Sequence, residues 1–365
     1  MQKRKICHVT SVHPYRDGRI FRKECQSLAK MYDVSLIAPN TETKEEGGIH
    51  VYGVNLPKGR LKRMRNLDIV FQKMMEVDAE VYHFHDPELI PIGFKAKKCG
   101  KKVIFDSHED VPLQISEKDW IPRPFRKVIS ALYSKYEESR LSRYDALVSV
   151  TPSIVDRLKG YNPNTYQITN YPIIQDFTDN RNWGNQICFT GGISAQWMHD
   201  NVIRSIENID VKYVMAGVVE GNYMDCLKLP AWEKVDYQGV VTPQEVSRIQ
   251  QNSFTGIALN DYVANVGYTL GSLGNTKLFE YMMSGIPVIA TDFILWKEII
   301  DKYQCGICVN PRNVDAIKDA IVYLKEHPED ARKMGNNGRR AAEEEFNWAS
   351  QEEILIEMYD KVLKS

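Results

Sequence analysis

Short runs rich in β-branched and aromatic residues alternate with longer amphipathic stretches along nearly the whole chain, and that alternation prescribes βα units built on parallel sheet. In the first half, strands are predicted at KICHVTSV (5–12), VSLIA (34–38), IHVYGV (49–54), VYHFH (81–85), KVIFD (102–106), ALVSV (146–150) and TYQIT (165–169). Helical patterns fall between them, around 19–31, 61–77, 88–99, 124–143 and 152–160. The second half repeats the grammar with ICFT (187–190), VKYVMAG (211–217), VDYQG (235–239), FTGIAL (254–259), PVIA (287–290) and GICV (306–309), and closes with helices across 313–363.

The stretch NYPIIQDFTDNRNWGNQ (170–186) carries neither period and is rich in turn formers, so it reads as a boundary between two doubly wound sheets. A length of 365 residues suits two domains. Open α/β sheets bind ligands at the carboxyl ends of their strands, so two facing sheets predict an interdomain cleft, with its chemistry in the loops after each strand. At 43% hydrophobic and 26% charged residues, disorder, collagen and disulfide miniprotein are excluded. No apolar run approaches the roughly 18 residues of a membrane span. The basic N-terminus is followed by too short an apolar stretch for a signal peptide, and a cytoplasmic protein is expected. The seven scattered cysteines fit reduced thiols, and Cys305-Gly-Ile-Cys308 lies in a strand-like run without a second pair to complete a zinc site.

Charge is divided unevenly. Residues 1–172 hold 29 Lys and Arg against 21 Asp and Glu, whereas the remainder hold 18 against 27. A basic first half points to an anionic partner such as phosphate, a membrane surface or nucleic acid, the plain alternative being chance distribution over a polar surface.

Three loops stand out in the first half. His13-Pro-Tyr-Arg-Asp-Gly-Arg19 precedes a helix, where Arg16, Asp17 and Arg19 could meet an anion. The fourth strand runs into His83-Phe-His85-Asp86-Pro-Glu88, and the next ends in Asp106-Ser-His108-Glu109-Asp110. Neither His/carboxylate cluster has the fixed spacing of a zinc site, so contact with hydroxylated substrate and a leaving phosphate is the stronger reading. The alternative is helix capping, with Asp86 before Pro87 as an N-cap. In the second half, Phe189-Thr-Gly-Gly-Ile-Ser194 lets backbone approach a diphosphate through Gly191 and Gly192. In GSLGNTKLFEYMMSGIPVIATD (271–292), Lys277 and Glu280 lie three apart and share one helical face, as a phosphate cation and a ribose carboxylate would. With no G-x-G-x-x-G, a nicotinamide or flavin cofactor loses its main support.

Together these blocks give the chain a resemblance to the GT-B glycosyltransferases, in particular the family 4 retaining enzymes of bacterial surface polysaccharide synthesis. It is carried by DGRIFRKECQSLAKMYDVSLIAP (17–39), HFHDPELIPIG (83–93), DSHED (106–110), TPSIVDRL (151–158), TNYP (169–172), FTGGIS (189–194), YQGVVTPQEV (237–246), NTKLFEYMMSGIPVIATD (275–292) and GICVNPRNVDAIKDAI (306–321). The resemblance implies an acceptor-binding domain at 1–172, with a closing helix at about 348–365 packing back on it, and a nucleotide-sugar domain at 173–347. Glu280 matches the glutamate that holds the ribose, His108 the histidine near the donor phosphate and sugar, and Gly239-Val240 the backbone that reads the base. Gly191 and Gly192 match the diphosphate loop, beside Asn275, Thr276 and Lys277. Catalysis is expected of His108, Lys277 and Glu280, and acceptor or cleft contacts of Arg16, Asp17, Arg19, His85, Asp86 and Glu109. No metal or cofactor is expected beyond the nucleotide-sugar co-substrate.

The chain departs from the family pattern at three points. Ser272 stands where an outer glutamate touches the donor sugar, Gly192 where an arginine is common, and Trp197 where a lysine follows. Either Lys277, with Arg16 or Arg19, replaces the lost cations, or the chain is a weak or inactive relative. A further basic segment, 57–65, leads into NLDIVFQKMMEV, and residues 57–75 are a candidate anionic-membrane surface through Leu61, Met64, Leu67, Ile69, Val70 and Phe71, against the plainer reading of a solvated face. The expected function is retaining transfer of a hexose-type unit from a nucleoside diphosphate sugar to a growing, lipid-linked glycan at the inner face of a membrane. The alternatives are a silent sugar- or nucleotide-binding subunit and a nucleotide-sugar epimerase. Nucleic acid is not an expected partner, since the basic half lacks any recognised module.

Overall fold

The computed structural model describes residues 3–118, 121–175 and 183–365, and residues 176–182 of the predicted boundary lie outside these. The chain forms two units, one of Met1–Asn170 with Trp348–Ser365, the other of Tyr171–Asn347.

The first unit is built on an eight-stranded sheet. In chain order its strands are β1 (Lys5–Val9), β2 (Asp33–Pro39), β3 (Lys44–Glu46), β4 (Ile49–Val54), β5 (Val81–Phe84), β6 (Lys102–Ser107), β7 (Ala146–Ser149) and β8 (Thr165–Gln167), and in space they run β3-β4-β2-β1-β5-β6-β7-β8. All pairs are parallel except β3 with β4. Strands β5 and β7 are buried along their whole length because helices cover both faces of the sheet, which is why they read as continuous apolar runs. One layer packs Val70, Met74, Leu89, Leu141 and Leu158 on Cys7, Tyr82 and Phe105. The opposite layer packs Phe21, Leu28 and the closing helix Trp348–Lys364 on Ile6, Val34 and Ile104, through Trp348, Leu355, Met358 and Tyr359.

The second unit carries β9 (Gln186–Thr190), β10 (Lys212–Ala216), β11 (Val235–Tyr237), β12 (Thr255–Ala258), β13 (Val288–Thr291) and β14 (Gly306–Val309), ordered β11-β10-β9-β12-β13-β14 and wholly parallel. This is the doubly wound order that reverses at the first strand, so each unit has a switch point at a known place, between β1 and β5 and between β9 and β12. Cys305 and Cys308 are free, Cys305 in the core and Cys308 packed against it.

Three features depart from the sequence expectation. The edge strand β3 was not foreseen, being three charged residues long. A helix at Val111–Glu117 also escaped the period, although Asp110 caps it by accepting from Leu113 N at 3.1 Å and Pro112 sits in its first turn. Finally, the candidate membrane segment is not one surface: Leu67 and Val70 belong to the core and Phe71 packs against it, which leaves Leu61, Met64 and Ile69 exposed.

Candidate functional site

At the carboxyl end of β9 the chain turns through Gly191, whose φ is +148°. Its N–H donates to Ala216 O at 2.8 Å, and Gly217 N–H donates to Gly239 O at 2.7 Å, so the loops leaving β9, β10 and β11 are tied together. A Cβ on Gly191 would overlap Lys277 Cε, and one on Gly217 would overlap Gly191 O. The glycines are needed for close approach as well as for backbone conformation. Val240, beyond Gly239, is exposed, as is Gly192.

Lys277 opens the helix Lys277–Met283, which is anchored by buried Leu278, Phe279, Tyr281 and Met282. Lys277 Nζ donates to Glu280 Oε2 at 2.8 Å, and Thr276 Oγ1 donates to Glu280 Oε1 at 2.6 Å. Asn275 Oδ1 accepts from Lys277 N at 3.4 Å. The structure thus brings Gly191, Asn275, Thr276, Lys277 and Glu280 to one place. Ser272 turns inward, its hydroxyl accepting from Gly274 N at 3.1 Å and its carbonyl from Trp296 Nε1 at 3.0 Å. Trp197 packs edge-on against Phe189, with centroids 5.1 Å apart. Its ring completes the core where a lysine would have offered charge.

In the first unit, an open pocket of about 370 Å³ lies at the carboxyl ends of β1, β5 and β6. His13, Arg63, Asp86, Glu88, His108 and Glu109 line it. His108 Nε2 stands 3.3 Å from Asp106 Oδ2, while Asp106 is fully buried and receives Arg19 Nε at 2.8 Å. Burial works against the Asp106 charge, but Arg19 and His108 overcome it and hold the carboxyl well below its ordinary range. Burial likewise pushes Glu24 well above the carboxylate range, with Arg19 Nε 3.0 Å from Glu24 Oε1 opposing it.

Arg19 therefore does not serve as a phosphate contact. It is 4% exposed, holds Asp106 and Glu24, and donates from a third nitrogen to Ile168 O at 2.9 Å, so the expectation that it faces an anion is corrected. Arg16 is exposed but pairs with Glu46 of β3 at 2.9 Å. Asp17 accepts from the backbone of Arg19 and Ile20 at 2.8 and 2.9 Å, fixing the start of the following helical turns. Asp86 does not cap the turn that follows it; its Oδ2 accepts from Thr10 Oγ1 at 2.8 Å and from Ser11 N at 2.6 Å. Glu109 accepts from Gln114 Nε2 at 2.7 Å.

His85 is buried, with Nε2 2.9 Å from His8 Nδ1. His8, Glu24, His83 and His85 hold ligand atoms within 4.8 Å of one another, as do His85, Asp106 and His108. In both groups the Arg19 guanidinium already occupies the carboxylates, a resident cation that competes with any metal for the same oxygens. Burial holds His8 and His83 well below the usual imidazole range, so both are neutral near pH 7.

Glu88 belongs to the second-loop cluster singled out in the sequence, but sequence reasoning missed Arg63 and Gln114 as pocket walls. Arg63 donates to Glu88 through Nε at 2.6 Å and NH2 at 3.1 Å, a contact across 25 residues that no local period announces. Gln114 was hidden with the unforeseen helix.

Comparison with known proteins shows which family the chain belongs to. The model for Glycosyltransferase Family 4 matches residues 18–169, and that for Glycosyl transferases group 1 matches residues 174–341. The chain belongs to the GT-B glycosyltransferases of the family 4 type. Sucrose-phosphate synthase from Thermosynechococcus elongatus superposes with a TM-score of 0.76 at 12% identity, covering 99% of this chain and 100% of that one. A glycosyltransferase from Rickettsia africae gives 0.73 at 16% identity, with both chains covered completely. HepE of Anabaena in complex with UDP-glucose gives 0.70 at 11% identity, covering 98% and 99%. At such identities these likenesses concern the fold. The MMP alpha-(1->4)-mannosyltransferase of Mycolicibacterium hassiacum is 32% identical over 85 residues, which is 23% of this glycosyltransferase and only 21% of that relative's length.

Proposed function

We propose that this glycosyltransferase takes a hexose-type unit from a nucleoside diphosphate sugar and transfers it, with retention of anomeric configuration, to a growing lipid-linked glycan of a bacterial surface polysaccharide. The second unit holds the donor and the first the acceptor. The observation that carries the reading is the Lys277–Glu280 pair seated against Gly191, a cation and a carboxylate on a helix start beside backbone that any side chain would obstruct. Lys277 would meet the diphosphate and Glu280 the ribose hydroxyls, with Gly239 and Val240 beside the base. The UDP-glucose bound by HepE belongs to the same donor class.

In the proposed step the bond from the sugar C1 to the phosphate oxygen breaks as the bond to the acceptor oxygen forms on the same face. The acceptor proton passes to the departing phosphate, and the cationic or donor groups Lys277 and His108 stabilise the charge that develops there. No step calls for a metal. The alternative of a silent nucleotide-binding subunit draws on the indole of Trp197, packed away where a cation would be useful. Thermal shift with UDP, GDP, ADP and CMP sugars, followed by NMR of the anomeric centre in the product, tests the proposal. Donor binding without release of nucleoside diphosphate would favour the silent subunit, and an inverted product would refute retention.

A further inference from the structure

Side chains two apart along a strand share a face of the sheet. Ile6 of β1, Val81 of β5 and Ile104 of β6 pack under the closing helix Trp348–Lys364, so His8, His83 and Asp106 lie on that same face, at the carboxyl ends of three adjacent strands. His85 and His108 continue the alternation beyond β5 and β6. Tyr359 of the closing helix comes down on this row, and His8, His83, His85, Asp106 and Tyr359 are each no more than 2% exposed.

The polar atoms of these side chains form one line. His83 Nδ1 stands 3.0 Å from the Tyr359 hydroxyl, and that hydroxyl stands 3.1 Å from His8 Nε2. His8 Nδ1 is 2.9 Å from His85 Nε2. His85 Nδ1 faces Asp106 Oδ2 at 3.6 Å, and His108 Nε2 faces the same oxygen at 3.3 Å. The line runs from the closing helix to the ring that borders the pocket.

One arrangement of protons satisfies it. The rings of His8, His83 and His85 lie with centroids 4.6–5.2 Å apart in the core, too close to share positive charge. Burial first, and the neighbouring imidazoles after it, hold all three below the usual imidazole range, so each carries a single N–H. The Asp106 carboxylate, paired with Arg19, repels a bare lone pair and attracts an N–H, which puts the His85 proton on Nδ1. His85 Nε2 is then an acceptor and takes the Nδ1–H of His8. His8 Nε2 in turn accepts the Tyr359 hydroxyl, whose oxygen accepts from His83 Nδ1. The reverse arrangement would aim a His85 lone pair at the carboxylate and bury an N–H at His83 Nε2, which has no acceptor among the described residues. Glu24 stands 3.7 Å from His8 Nδ1 and 3.8 Å from His85 Nε2, beyond hydrogen-bond reach, and as a carboxyl kept neutral by burial it does not bias the junction.

We propose that Tyr359 is a positioning residue for the pocket histidine: its hydroxyl, acting through His8, fixes His85 as the Nδ1–H tautomer, so that Asp106 keeps an N–H beside it on the core side while it orients His108 on the pocket side. Without the hydroxyl, nothing on the far side of His8 selects between its two nitrogens, and His85 is free to turn a lone pair on Asp106. The effect on rate rests on the transferase reading given above. The tautomers are a property of the free protein and are measured without donor or acceptor, so failure of one is seen apart from failure of the other.

The test is long-range proton–nitrogen correlation NMR of the histidine rings in the full chain, each ring assigned through its Cβ. In the wild type, His8, His83 and His85 should each show a protonated Nδ1 and a bare Nε2. A proton on Nε2 of His8 or His85 would overturn the proposal, and this arm needs no variant to fold. Tyr359→Phe then removes the hydroxyl and keeps the ring in the core. Its spectrum should show His8 and His85 as mixtures of tautomers and a displaced His108, while His199 of the second unit stays as in the wild type. In the transferase assay the same variant should lose about twofold to tenfold in turnover, the worth of one hydrogen bond, with the donor KM unchanged. A Tyr359→Phe protein that melts lower yet keeps His85 wholly as the Nδ1–H tautomer would make the hydroxyl structural only and overturn the proposal, as would turnover equal to wild type.

Discussion

Lys277 Nζ lies 2.8 Å from Glu280 Oε2, and its aliphatic stem fills the space that a Cβ on Gly191 would occupy. The cation is thus held in place against the Gly191 loop, where the proposed function puts the diphosphate. Its partner is a carboxylate 34% exposed, so a diphosphate can share or replace that contact at modest desolvation cost. With Arg19 committed to the core of the first unit, Lys277 is the cation that the proposed donor site would draw on. Lys277→Ala should weaken nucleoside diphosphate binding by about tenfold to a hundredfold, the worth of one charged hydrogen bond, and nearly abolish transfer. Lys277→Arg should rescue only in part, because a planar fork does not fit a seat shaped for a point charge. Gly192→Arg in the Lys277→Ala background should recover some activity, since a Cβ at Gly192 meets no atom. Full activity of Lys277→Ala in a nucleotide-release assay would assign the phosphate role to another cation, Arg16 being the next to test.

Glu280→Ala should reduce donor affinity, measured by calorimetry, while leaving the melting temperature within a few degrees of wild type. The carboxylate contributes a partly exposed ion pair with Lys277, worth about 1 kcal/mol or less, and a local hydrogen bond from Thr276, whereas as a ribose clamp it would contribute directly to binding. Unchanged affinity for the best donor would remove Glu280 from the nucleotide site.

Arg19 leads to the opposite expectation, a large loss of stability. Arg19→Met leaves the Asp106 carboxylate buried without its cation, which should cost about 3–5 kcal/mol in urea unfolding. Asp106→Asn in the same background should restore part of the loss, because it removes the stranded charge. A stability of Arg19→Met equal to wild type would mean that the network holds no net charge worth pairing.

These contrasts show what the sequence could disclose. The alternation of strands and helices, and the placement of chemistry after strands, were legible because each depends on residues close in the chain. So was the Lys277–Glu280 pair, three apart on one helix. Arg19 looked like a loop cation because its partner Asp106 is 87 residues away, and only the pairing of β1 with β5 and β5 with β6 brings them together. The same non-locality hid Glu88 from Arg63, and it was the resemblance, not the local pattern, that set Gly191 beside Lys277. Leu67 and Val70 were misplaced on a surface for a related reason: a basic amphipathic stretch shows that one side is apolar, but not that the sheet beneath it claims that side.

His13 supplies a pH-dependent prediction. Burial opposes its charge, but the hydrogen bond it donates to Asp17 and the charges of Asp86, Asp17 and Asp106 outweigh burial and raise its pKa above the ordinary value near 6.5. A raised folded-state pKa means that protonated His13 stabilises the fold fully below the unfolded value, about 6.5, and that this stabilisation is lost as pH climbs through the folded value. The stability gap between wild type and His13→Gln should therefore be largest in mildly acidic buffer and shrink as pH rises above neutrality. The check is the urea midpoint of both proteins across that window. A gap that stays constant with pH would show that His13 carries no extra proton in the folded state.

His108 closes the set, because its setting separates a chemical role from a binding one. Its Nε2 faces Asp106 at 3.3 Å, and Asp106 is itself fixed by Arg19, so the imidazole is oriented from within the core while its ring borders the pocket. A group held this way can donate toward charge that develops on a departing phosphate without reorganising at the moment of reaction. His108→Ala should lower turnover by about a hundredfold to a thousandfold, the usual cost of one such donor, with a much smaller change in donor affinity. Asp106→Asn should lower turnover in the same direction by loosening the ring, and should also lower stability, which His108→Ala should do far less. Adding a chelator to the wild-type assay should leave the rate undiminished. A loss in binding equal to the loss in rate would make His108 a positioning residue for the donor, and a chelator-sensitive rate would return the His85, Asp106 and His108 cluster to consideration as metal ligands.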